Sequence, residues 1–191
     1  MIYVIGIGAD GMPGLAPASA AELRRATVVY GSPRQLKLLD DTVAADRRMW
    51  TSPLVGVLQT IRDDIAGDVH VLASGDPMLH GIGSSCIRVF GADRVKVLPH
   101  VSSVTLACAR VGWNMQDTEV ISLVSAQPQT AVRRGGQAVV LCRDGGGPST
   151  LARLLIDTGR GDSELTVLEQ LGGPAERRRS ATARELSLIH I

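Results

Sequence analysis

At 191 residues, with 45% apolar and 20% charged side chains, the chain can build one large core or two small ones. A formal net charge of +1 argues against a nucleic-acid binder that works by neutralising phosphates. No apolar run approaches the ~20 residues of a membrane helix and no basic, apolar, small-residue leader is present, so a soluble cytoplasmic chain with neither a membrane nor a nucleic-acid partner is expected. Cys86, Cys108 and Cys142 form no C-x-x-C pair, which argues against a disulfide framework or a zinc site and leaves them as small core residues.

Short apolar runs alternate with amphipathic ones. Residues 2–5 read as a strand, Ser19 can cap a helix over 20–26, and 27–31 read as a second strand. Residues 32–40 are predicted helical with Pro33 in the first turn, and 49–53 form a short extended piece. Val57, Leu58, Ile61 and Ile65 mark a helical face that ends at Gly67. Residues 68–74 form a strand stopped by Gly75-Asp76-Pro77, followed by a helix over 81–91 and a strand over 94–99. A helix over 101–112, strands over 119–125 and 137–144 flanking a short helix at 128–136, a helix within 145–159 and a strand over 163–172 complete the pattern. The alternation implies an α/β chain with a mainly parallel sheet. The polar turn after Gly112 divides it into expected domains 1–112 and 113–191.

The first strand runs into GIGADG at residues 6–11, which matches the G-x-G-x-x-G fingerprint of a dinucleotide-binding loop. That reading needs a helix opening at the third glycine and a carboxylate at the end of the second strand. Pro13, Gly14 and Pro17 delay the helix, and the second strand ends in VVYGS with no acid before Asp40. An NAD-dependent oxidoreductase is therefore the least favoured of the readings.

Two other strand ends carry comparable turns, GDPMLHG at residues 75–81 and PHVSS at 99–103. In open α/β sheets ligands bind outside the carboxyl ends of the strands. Gly75 permits close backbone approach, Asp76 can accept from a hydroxyl or ammonium group or cap a helix, and Ser102 and Ser103 can donate at a helix N-terminus.

Taken together, GIGADG, GDPMLHG and PHVSS resemble the signature loops of the tetrapyrrole (corrin/porphyrin) methylase family, the class III methyltransferases. The resemblance covers essentially the whole chain, residues 167–186 included. Within the family, residues 30–39 are similar to the members of precorrin-6Y type, which act late in the corrin-ring pathway to cobalamin. Ala9 stands where the family usually has proline, Gly11 where an acid is common, and LVSAQP where the subfamily often has an H-G-R triplet. The terminal LSLIHI is read as an edge strand of a truncated second domain.

The resemblance implies two small α/β domains with a cofactor cleft between them. It implies S-adenosyl-L-methionine as methyl donor, S-adenosyl-L-homocysteine as product, and C-5 methylation of a precorrin-type substrate. Ser74, Gly75, Asp76, Leu79, Ser102 and Ser103 would contact the cofactor, and Ala9, Leu141 and Cys142 would close its other side. Gly11 and Met12 would face the macrocycle. Arg34, Arg47 and Arg48 are candidates for its carboxylates, since guanidinium pairs with them through two hydrogen bonds. His80 and His100 lie inside the signature loops and can move a proton near neutral pH. A homodimer, and a fused or separate C-15 methyltransferase/decarboxylase domain, are the implied partners. Methylation at another tetrapyrrole position and a non-catalytic relative of the fold are the alternatives.

Overall fold

The computed structural model describes residues 1–50, 54–64, 67–124, 126–132 and 136–188. They form two compact units: Met1–Ser103 with Gly172–Pro174, and Val104–Leu171 with Ala175–Ile191.

In the first unit five parallel strands lie in the order β3-β2-β4-β1-β5. They are β1 (Ile2–Ile7), β2 (Val28–Gly31), β3 (Asp46–Met49), β4 (Val69–Ser74) and β5 (Val95–Leu98). The connecting helices are α1 (Pro17–Arg24), α2 (Pro33–Leu36), α3 (Leu54–Asp64) and α4 (Gly83–Phe90). The side-chain period of two divides each strand between two cores. Ile2 and Val4 join Val69, Val71 and Ala73 against Leu58, Ile61, Cys86 and Phe90 of α3 and α4. Ile5, Ile7 and Leu72 turn the other way onto Ala20 and Leu23 of α1. Both faces are covered, so β1 and β4 read as continuous apolar runs. Each fully buried Val, Leu or Ile contributes about 1.5–3 kcal/mol relative to an exposed one.

β1 and β4 are neighbours whose crossovers leave on opposite faces and in opposite directions across the sheet. That makes their carboxyl ends the topological switch point, where such sheets place ligands.

Several expectations change here. α1 is capped by Ala16, with Pro17 at its first position, while Ser19 lies buried inside it. Proline suits that position because its fixed φ and missing N–H cost nothing there. Residues 46–49 form an exposed, charged edge strand, where only 49–53 were expected to be extended. Residues 51–53 and Ile65 lie outside the described residues. Gly11 and Met12, expected to face a macrocycle, are buried, and Met12 packs in the α1-side core with Leu15, Leu23 and Leu39.

The second unit holds α5 (Ser103–Val111, from Val104 onward), a parallel pair β6 (Glu119–Ser122) and β7 (Ala138–Leu141), α6 (Gly147–Asp157), an antiparallel hairpin β8 (Glu164–Glu169) and β9 (Arg177–Thr182), and α7 (Ala183–Ser187). A 3-10 turn spans Pro128–Val132. Leu151, Ala152 and Leu155 of α6 pack on Ala183 and Leu186 of α7 and on Val132. β8 and β9 break the parallel expectation because the link between them is too short for a crossover helix. Leu186 and Ser187 are helical, not part of an edge strand, and residues 189–191 lie outside the described ones.

The division falls at Ser103/Val104, before the expected residue 112. α5 is tied to the loop before β9: Arg110 Nη2 donates to Glu176 at 2.9 Å and Arg178 donates to the Arg110 carbonyl at 2.9 Å.

Candidate functional site

Three loops converge at the carboxyl ends of β1, β4 and β5, all within the first unit. Gly6 is their meeting point. A Cβ there would lie 2.1 Å from the Gly75 carbonyl oxygen and 2.7 Å from the His100 nitrogen. Gly75 N donates to the Ile7 carbonyl at 3.0 Å, and Gly75 holds φ +59°, with Val101 O 3.2 Å from where its Cβ would be. Only glycine adopts that φ freely, so GDP closes against PHVSS through bare backbone.

The opening loop curls through successive turns, Gly11 N onto Gly8 O at 3.1 Å and Gly14 N onto Gly11 O at 3.2 Å. No helix starts at Gly11. A 3-10 turn covers Met12–Gly14, and α1 follows from Pro17. The glycines serve the loop's own carboxylate instead. A Cβ on Gly14 would stand 2.0 Å from Asp10 Cγ, and one on Gly8 would stand 2.4 Å from Asp10 Oδ1 and 2.6 Å from His100 Nε2. His100 Nε2 lies 3.3 Å from Asp10 Oδ1, and Oδ1 is buried without a formed hydrogen bond. Ala9 is covered by the 172–174 segment: a Cβ on Gly173 would meet its carbonyl oxygen at 2.7 Å.

In the β4 loop Asp76 Oδ1 accepts from Met78 N at 2.8 Å and so caps its own turn. Pro77 O accepts from Gly83 N at 2.9 Å, which anchors the loop to α4. Leu79 is half-buried beside it. His80 sits at φ +52° with an exposed side chain, apart from the Asp10–His100 contact. Ser102 is buried and Ser103 exposed at the start of α5.

The three candidate arginines separate into different roles. Arg34 Nη2 and the buried Gln35 Nε2 both donate to Ser74 Oγ, at 2.9 and 3.1 Å. Arg34 is exposed and has no ion pair among the described residues. Ser32 and Gln35 form a capping box that fixes this turn. Arg47 is spent internally: it donates to the carbonyls of Leu36, Leu39, Asp40 and Val43, at 2.8 to 3.4 Å. Arg48 pairs with Asp46 at 2.8 Å and donates to Tyr30 Oη at 3.1 Å. Arg34 is therefore the least engaged of the three, with a single hydrogen bond among the described residues.

Leu141 and Cys142, at the end of β7, belong to the second unit. Gly147 leaves room for Cys142, since a Cβ there would lie 2.7 Å from its Sγ. Burial, and then the charge of Asp144, hold the Cys142 thiol above its ordinary range. Cys86 is fully enclosed, and burial pushes its thiol up to about 12. Cys108 is likewise buried, so Cys86 and Cys108 are core residues and Cys142 is half-buried.

Sequence reasoning did not find Asp10, Gln35 or the 172–174 segment as parts of this region. The signal available for Asp10 was an acid between glycines in the first loop.

The sequence profile of the Tetrapyrrole (Corrin/Porphyrin) Methylases matches residues 1–187. The chain belongs to this family. Among curated relatives, the precorrin-6Y C(5,15)-methyltransferase [decarboxylating] of Mycobacterium tuberculosis is 67% identical over 184 residues, covering 96% of this chain and 47% of the relative. The chain thus spans about half the length of that relative. The cobalt-precorrin-7 C(5)-methyltransferase of Salmonella typhimurium is 28% identical over 178 residues, covering 93% of this chain and 88% of the relative. Among solved structures, the precorrin-6Y methylase of Archaeoglobus fulgidus superposes with a TM-score of 0.72 at 26% identity, over 100% of this chain and 92% of that one. The uroporphyrin-III C-methyltransferase of Thermus thermophilus, solved with S-adenosylhomocysteine, shares the methylase fold with a TM-score of 0.68 at 21% identity, over 100% and 86%.

Proposed function

We propose that the chain methylates a precorrin-type corrin precursor at C-5, with S-adenosylmethionine as donor, in cobalamin biosynthesis. The observation that carries this reading is a match of length and name. The chain spans 47% of a relative named for two positions, C(5,15), and 88% of one named for C(5) alone. Methylation at C-15 and decarboxylation then belong to a further domain, fused or separate.

The residues at the carboxyl ends of β1, β4 and β5 fit the cofactor. Gly75 is a bare cradle with the Val101 carbonyl beside it, and segments 75–79 and 101–103 carry no lysine or arginine to repel a sulfonium cation. Ser74, Gly75, Asp76, Leu79, Ser102 and Ser103 would hold it, with Ala9 at the rim. When bound, the sulfonium supplies an electrophilic methyl group, so the protein's work is positioning and exclusion of water. Arg34 would take a substrate carboxylate through the donors it has free. A homodimer is the proposed assembly and the cytoplasm the proposed site of action. No helix among the described residues is long and apolar enough to cross a membrane.

Calorimetry with S-adenosylhomocysteine and NADH, followed by methyl transfer onto corrin precursors with NMR location of the new methyl, tests the reading. Micromolar binding of S-adenosylhomocysteine and a methyl on C-5 are expected. Binding of NADH alone, or a methyl at another carbon, would overturn it. Light scattering tests the dimer.

A further inference from the structure

We propose that Asp10 and His100 form a carboxylate–imidazole pair in which His100 takes the proton that leaves the methylated ring carbon, and Asp10 holds the imidazole in the tautomer able to accept it. The inference rests on the methyl-transfer reading and assigns the proton that this reading leaves unplaced.

The opening loop is shaped around the Asp10 carboxylate. Side chains at positions 8 and 14 would strike it, Gly14 at 2.0 Å from Cγ and Gly8 at 2.4 Å from Oδ1. A Cβ on Gly8 would also strike His100 Nε2, at 2.6 Å, so one glycine makes room for both partners. The His100 backbone is fixed from the other side, because Gly6 lets its nitrogen approach β1. Its side chain is 11% exposed, and Nε2 faces Asp10 Oδ1 at 3.3 Å. Oδ1 is buried and lacks a hydrogen bond, so the imidazole N–H beside it is the donor it needs. Contacts of this kind are often long in a ligand-free site and tighten around the substrate.

A neutral imidazole carries one N–H. With that N–H at Nε2, directed at Asp10, Nδ1 keeps its lone pair. Nδ1 makes no hydrogen bond among the described residues. Among the charged groups of the surrounding loops, Asp10 is the one in contact with the ring, while Asp76 turns its carboxylate onto Met78 N. His80 has an exposed side chain and no carboxylate partner among the described residues.

Replacing hydrogen by methyl on an unsaturated ring carbon requires loss of a proton. The carbon's π pair forms the new C–C bond as the C–S pair returns to sulfur. The carbon then bears both methyl and hydrogen. Its C–H pair goes back to the ring while the proton passes to His100 Nδ1. The imidazolium so formed faces the Asp10 carboxylate and later releases its proton to water. Asp10 is a positioning residue, and His100 is the group that meets the reacting carbon.

The test uses the full chain and the variants Asp10→Asn and His100→Gln. Nitrogen-15 NMR of the ligand-free protein reads the tautomer directly. Nε2–H is expected in the wild type and Nδ1–H in Asp10→Asn, because the asparagine amide donates to Nε2. Calorimetry should show both variants binding S-adenosylhomocysteine within about twofold of wild type, while kcat for methyl transfer falls about 100-fold in each. The imidazole limb of the kcat–pH profile should vanish in His100→Gln. A wild-type Nδ1–H tautomer overturns the proposal, as does wild-type kcat with an unchanged pH limb in either variant. If Asp10→Asn does not fold, the wild-type tautomer and His100→Gln decide. A wild type that binds S-adenosylhomocysteine but methylates no corrin refutes the substrate reading instead, and leaves the tautomer result standing by itself.

Discussion

Gly6→Ala is the smallest change that should undo the meeting of the three loops. The added methyl would lie 2.1 Å from the Gly75 carbonyl oxygen and 2.7 Å from the His100 nitrogen, where van der Waals contact needs well over 3 Å. Both struck atoms are backbone, and Gly6 is buried in β1, so the strand and the two loops must separate. Overpacking of this kind costs about 1–3 kcal/mol, and the upper end applies because no side chain can swing aside. Three kcal/mol lowers the folding equilibrium constant roughly 100-fold. Gly56→Ala is the internal control: it lies in α3 with no atom of the described residues within 4 Å of its Cβ, and should stabilise by about 0.5–1 kcal/mol. The two tryptophans report separately, Trp50 beside the first unit's core and Trp113 in the second unit. Urea unfolding in a Trp113→Phe background therefore follows the first unit. The expected result is an early Trp50 transition for Gly6→Ala, with weakened binding of S-adenosylhomocysteine. A Gly6→Ala protein within 0.5 kcal/mol of wild type, binding the ligand normally, would refute the reasoning.

Other consequences can be measured in the same way. Arg34→Ala should raise KM for the proposed corrin substrate with little change in stability, whereas Arg47→Ala, which strips donors from four carbonyls, should lower the free energy of urea unfolding by about 1–2 kcal/mol and leave KM alone. The Glu22 carboxyl is pushed upward by burial, but hydrogen bonds from Arg25 and His70 outweigh that and hold it below its ordinary range. Its folded pKa lies under the unfolded one, so its contribution is present above about pH 4.3 and is lost as pH falls through the folded value. Glu22→Gln should flatten the acid limb of a stability–pH curve, and an unchanged limb would exclude the assignment. Cys86, pushed up to about 12 by burial, should resist alkylation at pH 8 until the first unit unfolds; mass spectrometry after iodoacetamide labelling reads this.

Most strands were legible because continuous runs such as VIGI and VHVLAS, stopped by glycine or proline, suit a sheet covered on both faces. β3 was not, since its four residues are exposed and three are charged, and it pairs only because β2 presents an edge. β9 was hidden for a similar reason, being arginine-rich and held in antiparallel register by a short link. The burial of Met12 was not legible because its loop folds back on itself, nor was the internal bonding of Arg47, whose acceptors are carbonyls that carry no sequence signal.

By itself the sequence determined the order of most strands and helices, the positions of the three turn-forming loops, the failure of the dinucleotide pattern and the family. Those follow from local periodicity, from proline and glycine chemistry and from motif order. Only the tertiary structure decided what the glycines of the opening loop do. Gly6 admits the loops after β4 and β5, while Gly8 and Gly14 make a seat for Asp10 beneath His100. Residues so far apart in sequence meet because β1 lies between β4 and β5 in a parallel sheet, which brings three carboxyl ends to one edge. No local pattern encodes that adjacency.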